Sequence, residues 1–104
     1  MEILWSDFAL DSLKDIYLYY DQIAGKKVAK KIKDQIFNSV KQLKKYPKSG
    51  QIEEMLIELG EGHRYLVAGN YKIIYKKVKE GILITDVFDT RQNPKKINNP
   101  KRRN

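Results

Sequence analysis

The sequence predicts a two-layer α+β domain, with an N-terminal strand and an antiparallel helical hairpin packed on an antiparallel β-meander in the order β-α-α-β-β-β. Three observations lead there. Apolar residues between Phe8 and Leu43 recur every three or four positions, in two runs separated by Gly25. From Arg64 to Phe88 the pattern changes to short runs of β-branched and aromatic residues punctuated by turn signals. The chain has 104 residues, of which 41% are hydrophobic, which suits one domain with one modest core.

Ile3, Leu4 and Trp5 form a brief apolar run that reads as the first strand. Ser6 or Asp7 then offers a side-chain oxygen to the free amides of a helix start. Phe8, Ala9, Leu13, Ile16, Tyr17, Tyr20 and Ala24 make one helical stripe. Gly25 ends it, because glycine tolerates a left-handed backbone. Val28, Ala29, Ile32, Ile36, Val40 and Leu43 make a second stripe, closed by Pro47 and Gly50. So short a connection implies an antiparallel hairpin. The segment QIEEMLIELGEG, residues 51–62, is acidic and reads as a connection with a short turn or strand near Met55 to Leu59. Arg64–Ala68 and Tyr71–Val78 are the next strands, joined through Gly69-Asn70, a two-residue hairpin signal. Ile82–Phe88 is the last strand. Ile82, Ile84 and Val87 share one face of it only if the strand bulges or is buried on both sides. The two helices are expected to cover one sheet face and leave the other for function. Residues 1–94 form the expected domain. Residues 95–104, with their prolines, asparagines and basic side chains, read as a flexible, extended or frayed tail.

The formal net charge is +8. It predicts attraction to phosphate backbones or to an acidic protein. Between Lys26 and Lys45 stand eight lysines and a single acid, Asp34, so the second helix carries most of this charge. There are no cysteines and one histidine, so neither a disulfide framework nor a metal site is expected, and no cofactor. The start, MEILWSDFAL, lacks the basic residues and long apolar run of a signal peptide, and no stretch is apolar enough to span a membrane. A cytoplasmic protein with no membrane partner is expected.

Several local patterns, in this order, resemble the RelE/ParE toxin superfamily over about residues 3–94. They are the Trp5-Ser6 start before a helix containing Ala9, Pro47-Lys48-Ser49-Gly50 after the second helix, Arg64-Tyr65-Leu66-Val67, Asn70-Tyr71-Lys72-Ile73-Ile74-Tyr75, and Val87-Phe88-Asp89-Thr90-Arg91-Gln92-Asn93-Pro94. Members of this family, often called plasmid stabilisation proteins, are toxins of type II toxin–antitoxin pairs. Some cut messenger RNA on the ribosome, and others poison DNA gyrase. The resemblance therefore implies a cognate antitoxin as partner, and gyrase or the ribosome and its mRNA as target.

Metal-independent RNA cleavage needs a base for the ribose 2′-hydroxyl, cations for the charged phosphorane and an acid for the leaving oxygen. The nuclease members place basic residues at alternate positions of the hairpin's first strand and a cation on its second strand. They add an arginine after the last strand and usually a tyrosine or histidine near the C-terminus. By position, the resemblance assigns Arg64, Lys72 and Arg91 to the cationic sites. Leu66 is apolar where a second basic residue is expected, and no tyrosine or histidine follows Arg91. Asp89 stands where some members carry histidine. These departures favour a ParE-like toxin that acts on gyrase over a RelE-like endoribonuclease or a non-toxic nucleic-acid-binding module. The same residues also have plainer readings. Arg64 suits a strand arginine paired with Glu58, Glu61 or Asp89. His63, the sole imidazole and a candidate base, suits a surface position at a strand start. Asp89 and Arg91 suit a structural pair. If the cluster is functional, Arg64, Lys72 and Arg91 are expected to converge at one end of the sheet, while the basic second helix and the open sheet face receive the antitoxin.

Overall fold

In the computed structural model, which describes residues 1–103, strand β1 (Glu2–Trp5) leads into helices α1 (Asp7–Ala24) and α2 (Lys26–Ser39). Strands β2 (Gln51–Ile52), β3 (Arg64–Ala68), β4 (Tyr71–Val78) and β5 (Gly81–Asp89) follow. The strands form one sheet in the order β1-β5-β4-β3-β2. β1 runs parallel to β5, and every other pair is antiparallel. The helical hairpin covers one face, as the two stripes require.

Ser6 is the cap of α1: its hydroxyl accepts the Ala9 amide at 3.1 Å. Gly25, at φ 90°, is the single residue between the helices. The α-helical part of α2 ends sooner than its stripe. Ser39 turns its hydroxyl back onto the Ile36 carbonyl at 2.7 Å, and a 3-10 turn over Lys41–Lys44 then carries Leu43 into the core. The acidic connection splits into β2 and a 3-10 helix over Glu54–Leu59. Ala68 and Tyr71 pair across the Gly69-Asn70 turn.

The predicted irregularity in the last strand is present. Ile74 pairs with Asp86, and Tyr75 pairs with Ile84, so Thr85 is an extra residue in β5. Across this bulge Ile82, Ile84 and Val87 all reach the helix-covered core, beside Ile36, Leu43 and Ile73.

The opposite face is not left open. Leu56, Ile74, Phe88 and Ile97 form a second, smaller core there, with Tyr65 against it. Ile97 belongs to the segment expected to be an extended tail, and its described part is instead folded onto the sheet; the last residue, Asn104, lies outside the described residues. The residues that suggested fraying act as caps. Asn93 and Asn99 accept the amides of Lys95 and Lys101 at 3.0 Å each, starting the 3-10 turns Pro94–Asn98 and Pro100–Arg103. Ile97 finds an apolar seat, and Arg102 finds a buried acid. Its guanidinium makes two 2.9 Å bonds to Asp86, which is 3% exposed, and sits 5.0 Å from the ring centroids of Phe8 and Phe88.

Tyr75 ties the layers to the loop after α2. Its ring is buried beneath the hairpin, and its hydroxyl donates to the Pro47 carbonyl and accepts the Gly50 amide, both at 2.9 Å. A Cβ on Gly50 would lie 2.6 Å from that hydroxyl and 2.7 Å from the Tyr65 carbonyl, so only glycine fits.

Two outcomes follow for stability. Tyr75→Phe leaves the buried Gly50 amide without its acceptor and should cost about 1–3 kcal/mol, read as a lower urea midpoint with an unchanged slope; an unchanged midpoint would remove this anchor. Burial pushes the Asp86 carboxyl above its ordinary range, opposed by the hydrogen bonds and charge of Arg102. The folded state thus holds that proton more tightly than the unfolded state, and stability falls as pH rises from the unfolded value through the raised one. Arg102→Ala removes the opposition and should destabilise the protein by about 3 kcal/mol near neutrality. Part of that loss should return on acidification, as Asp86 takes up its proton. A deficit equal at every pH in urea titrations would exclude Asp86 as its origin.

Candidate functional site

The register separates the three cations assigned from sequence. Arg64 lies opposite Tyr75 and shares the helix-covered face. Lys72 lies opposite Val67 and Phe88, on the second face. Their positions also differ by three pairs along the β3–β4 ladder, about 10 Å. Arg91 follows β5 at the far end from Arg64. The expected convergence at one end of the sheet is absent.

Two of the three have tasks within the fold. Arg64 donates to the Gly50 carbonyl at 2.8 Å and to the Lys48 carbonyl at 3.5 Å, so it fastens the same loop as Tyr75. Of the acids considered for it, Glu61 pairs with Lys76 at 3.3 Å and Asp89 with Arg91. Lys72 places its ammonium 3.0 Å from Glu53, whose side chain is 2% exposed, and 4.1 Å above the Tyr65 ring. His63 is buried, not a surface residue, and its carbonyl accepts the Glu53 amide at 2.9 Å. His63 and Arg64 border a groove with Ile52 and Ile57, away from Arg91.

Arg91 borders a different cleft of about 530 Å³, between the outer side of α1 and the end of β5. Ser12, Asp15 and Tyr19 form one wall. Tyr71, Asp89 and Gln92 form the other, and Arg102 stands at its margin. Asp89 holds the Arg91 guanidinium in a fork: Nε donates to Oδ1 and Nη2 to Oδ2, both at 2.9 Å, and the Arg91 amide donates to Oδ1 as well. This pairing fixes the direction of the remaining guanidinium N–H groups. The fork of hydrogen bonds from Arg91 holds the Asp89 carboxyl below its ordinary range, against the opposing effect of burial. The Tyr71 hydroxyl donates to that of Tyr20 at 3.4 Å, and burial, reinforced by Tyr20, raises its pKa well above the ordinary phenol value. The cleft therefore offers a permanent cation, a weakly basic carboxylate and a protonated phenol. This set can recognise a polar partner. Neither Asp89 nor Tyr71 is tuned to exchange protons near neutral pH.

Among the described residues, no group of three His, Asp or Glu side chains could hold a metal ion, and no helix is long and apolar enough to cross a membrane. Glu53, Asp86 and Arg102 went unremarked in the sequence reading. An acid amid the apolar residues of Ile82–Phe88 was the available signal for Asp86. Nothing local marks Arg102 as its partner, 16 residues away.

The three cations should respond differently to replacement. Lys72→Ala strands the buried Glu53 carboxylate and should cost about 3–5 kcal/mol. Arg64→Ala removes a charged hydrogen bond at a partly exposed loop and should cost about 1.5 kcal/mol. Arg91→Ala should leave the melting temperature unchanged, since the side chain is mostly exposed. Thermal scans of the three proteins check this order; an Arg91 variant that melts earliest would overturn it.

Comparison with known proteins agrees with this architecture. The model of a family described as the ParE toxin of the type II toxin-antitoxin system, parDE, matches residues 3–94. A solved structure described as the chromosomal ParDE TA system from P. aeruginosa superimposes with a TM-score of 0.74 at 21% identity, over 86% of this chain and 95% of that chain. At that identity the likeness concerns the fold. The curated proteins yield no match. The matched span runs from β1 through the Arg91 turn to Pro94, and the chain belongs to the ParE toxin family as a ParE-like toxin of a type II toxin–antitoxin system.

Proposed function

We propose that this toxin arrests growth by binding its target rather than by cutting RNA, with DNA gyrase as the target and the cytoplasm as the place of action. The observation that carries this reading is the dispersal of the cations. A nuclease must gather positive charge and proton-transfer groups around one phosphate. Here Arg64 fastens a loop and Lys72 neutralises a buried acid. Arg91 remains, on an exposed cleft and aimed by Asp89. One oriented guanidinium beside tyrosines is a recognition feature of protein interfaces. In this reading residues 1–94 are the toxin domain and residues 95–104 an appended basic segment, of which Ile97 and Arg102 complete the second face.

A cognate antitoxin is the neutralising partner. The second sheet face offers it little room, because that face carries its own small core. The groove on the outer side of the helical hairpin suits an antitoxin segment better. Leu10, Tyr17 and Phe37 line it beside Lys14 and Lys33, and Leu10 and Phe37 are exposed. An acidic amphipathic segment folding on contact needs such apolar anchors with cations at their margin.

Induced expression with two readouts tests the proposal. The wild-type chain should switch on DNA-damage signalling and stabilise gyrase–DNA cleavage complexes in vitro, and a co-expressed antitoxin should suppress both. Arg91→Ala should lose growth arrest while keeping its melting temperature. Translation-dependent mRNA cuts without DNA damage would sink the gyrase assignment and restore the nuclease alternative.

A further inference from the structure

We infer that the outer face of α2 is a docking surface for the phosphate backbone of duplex DNA. The face opposite the buried Ala29 and Ile36 carries Lys27, Lys30, Lys31, Asp34 and Asn38. Lys26, Lys27, Lys30 and Lys31 are all exposed. The single acid there, Asp34, is 3.8 Å from Lys30. Among the described residues, Lys26, Lys27 and Lys31 have no carboxylate within ion-pair distance, whereas Lys72, Lys76, Arg91 and Arg102 each have one. Four cations of the sheet side are thus answered inside the fold, while the exposed Lys77, Lys79 and Lys95 are not; what distinguishes α2 is that its unpaired lysines lie within two turns of one helix.

The placement of these lysines runs against what the helix itself needs. A helix start favours acids, and α1 carries Asp7 there. The first turn of α2 has no acid and no side-chain cap, but carries Lys26 and Lys27. A local rule broken without compensation within the fold is expected where a surface serves a partner.

The chemistry of the face selects the partner. A protein partner needs apolar anchors, and this face is polar, with the exposed apolar residues of α2, Val28 and Phe37, lying to either side of it. A phosphate backbone needs only cations with freedom to follow it, which lysines supply. A second copy of the chain is disfavoured by the net charge of +8 on each. The choice of DNA over RNA rests on the gyrase reading, since that target works on DNA.

The test measures binding of the full chain to a labelled DNA duplex and to an RNA duplex of matched length and mixed sequence, without gyrase. Failure of this inference is therefore distinguishable from failure of the gyrase reading. Three neutralised phosphates give a log–log salt slope of about −2.7, or about a 40-fold loss of affinity from about 50 to about 200 mM salt. The combined variant Lys26→Gln, Lys27→Gln, Lys31→Gln should flatten that slope and lose the corresponding affinity. A charge-matched control, Lys77→Gln, Lys79→Gln, Lys95→Gln, removes three exposed lysines elsewhere and should bind nearly as well as the wild type. Circular dichroism confirms that both variants keep their helices. Equal losses in the two variants would reduce the effect to net charge and overturn the inference. So would tighter binding to the RNA duplex, or a helix variant that keeps full DNA affinity.

Discussion

At Thr85 β5 holds one residue more than β4 opposite it, and the side chains before and after it change faces in consequence. Strict alternation from Ile82 and Ile84 would aim Asp86 and Phe88 at the helices and Val87 away from them. The bulge reverses this. Val87 joins the main core, Phe88 seeds the second one, and Asp86 is placed where Arg102 can meet it. The extra residue is itself held. Its carbonyl accepts the Ser6 hydroxyl and its own hydroxyl donates to the Ile74 carbonyl, both at 3.3 Å. The residue that caps α1 thus also fastens the bulge, so helix entry and strand register are set together.

A second theme is the internal use of charge. Glu53 and Asp86 are buried acids, and each is answered by a cation from a distant part of the chain, Lys72 and Arg102. Such pairs contribute little net stability relative to apolar replacements, but breaking one is costly. They hold the segments around the small second core in a defined arrangement. Exposed lysines without a carboxylate partner remain on both sides, such as Lys77, Lys79 and Lys95 on the sheet side, but those of α2 are gathered on one short helix.

Most of the architecture was legible because periodicity reports burial directly. The two stripes, the Gly25 break and the Gly69-Asn70 turn each had one physical solution, and the fold adopts it; the conflict among Ile82, Ile84 and Val87 left two, a bulge or burial on both sides, and β5 has both. The site was less legible. The family resemblance singled out Arg64, Lys72 and Arg91, but not which face each occupies relative to the others or which acid it meets. Those depend on Glu53 and on the register of β3 against β4, which lie beyond local pattern. The terminal segment was misjudged for a related reason. Asparagine and proline mark both loose chain and the caps of short turns, and only the apolar seat for Ile97 and the buried Asp86 distinguish the two.

The parallel pairing of β1 with β5 bears on how the protein comes into being during synthesis. Glu2 pairs with Gly81 and Trp5 with Ile84, and the Ser6–Thr85 bond spans 79 residues. β1 leaves the translating ribosome well before its neighbour in the sheet, β5, has been made. Ile97 and Arg102, which finish the second face, come later still. Until then the hairpin can form, but its apolar stripe has no sheet to cover, and loop closure over so long a separation is slow. Such a nascent chain exposes hydrophobic surface before the Arg91 turn exists.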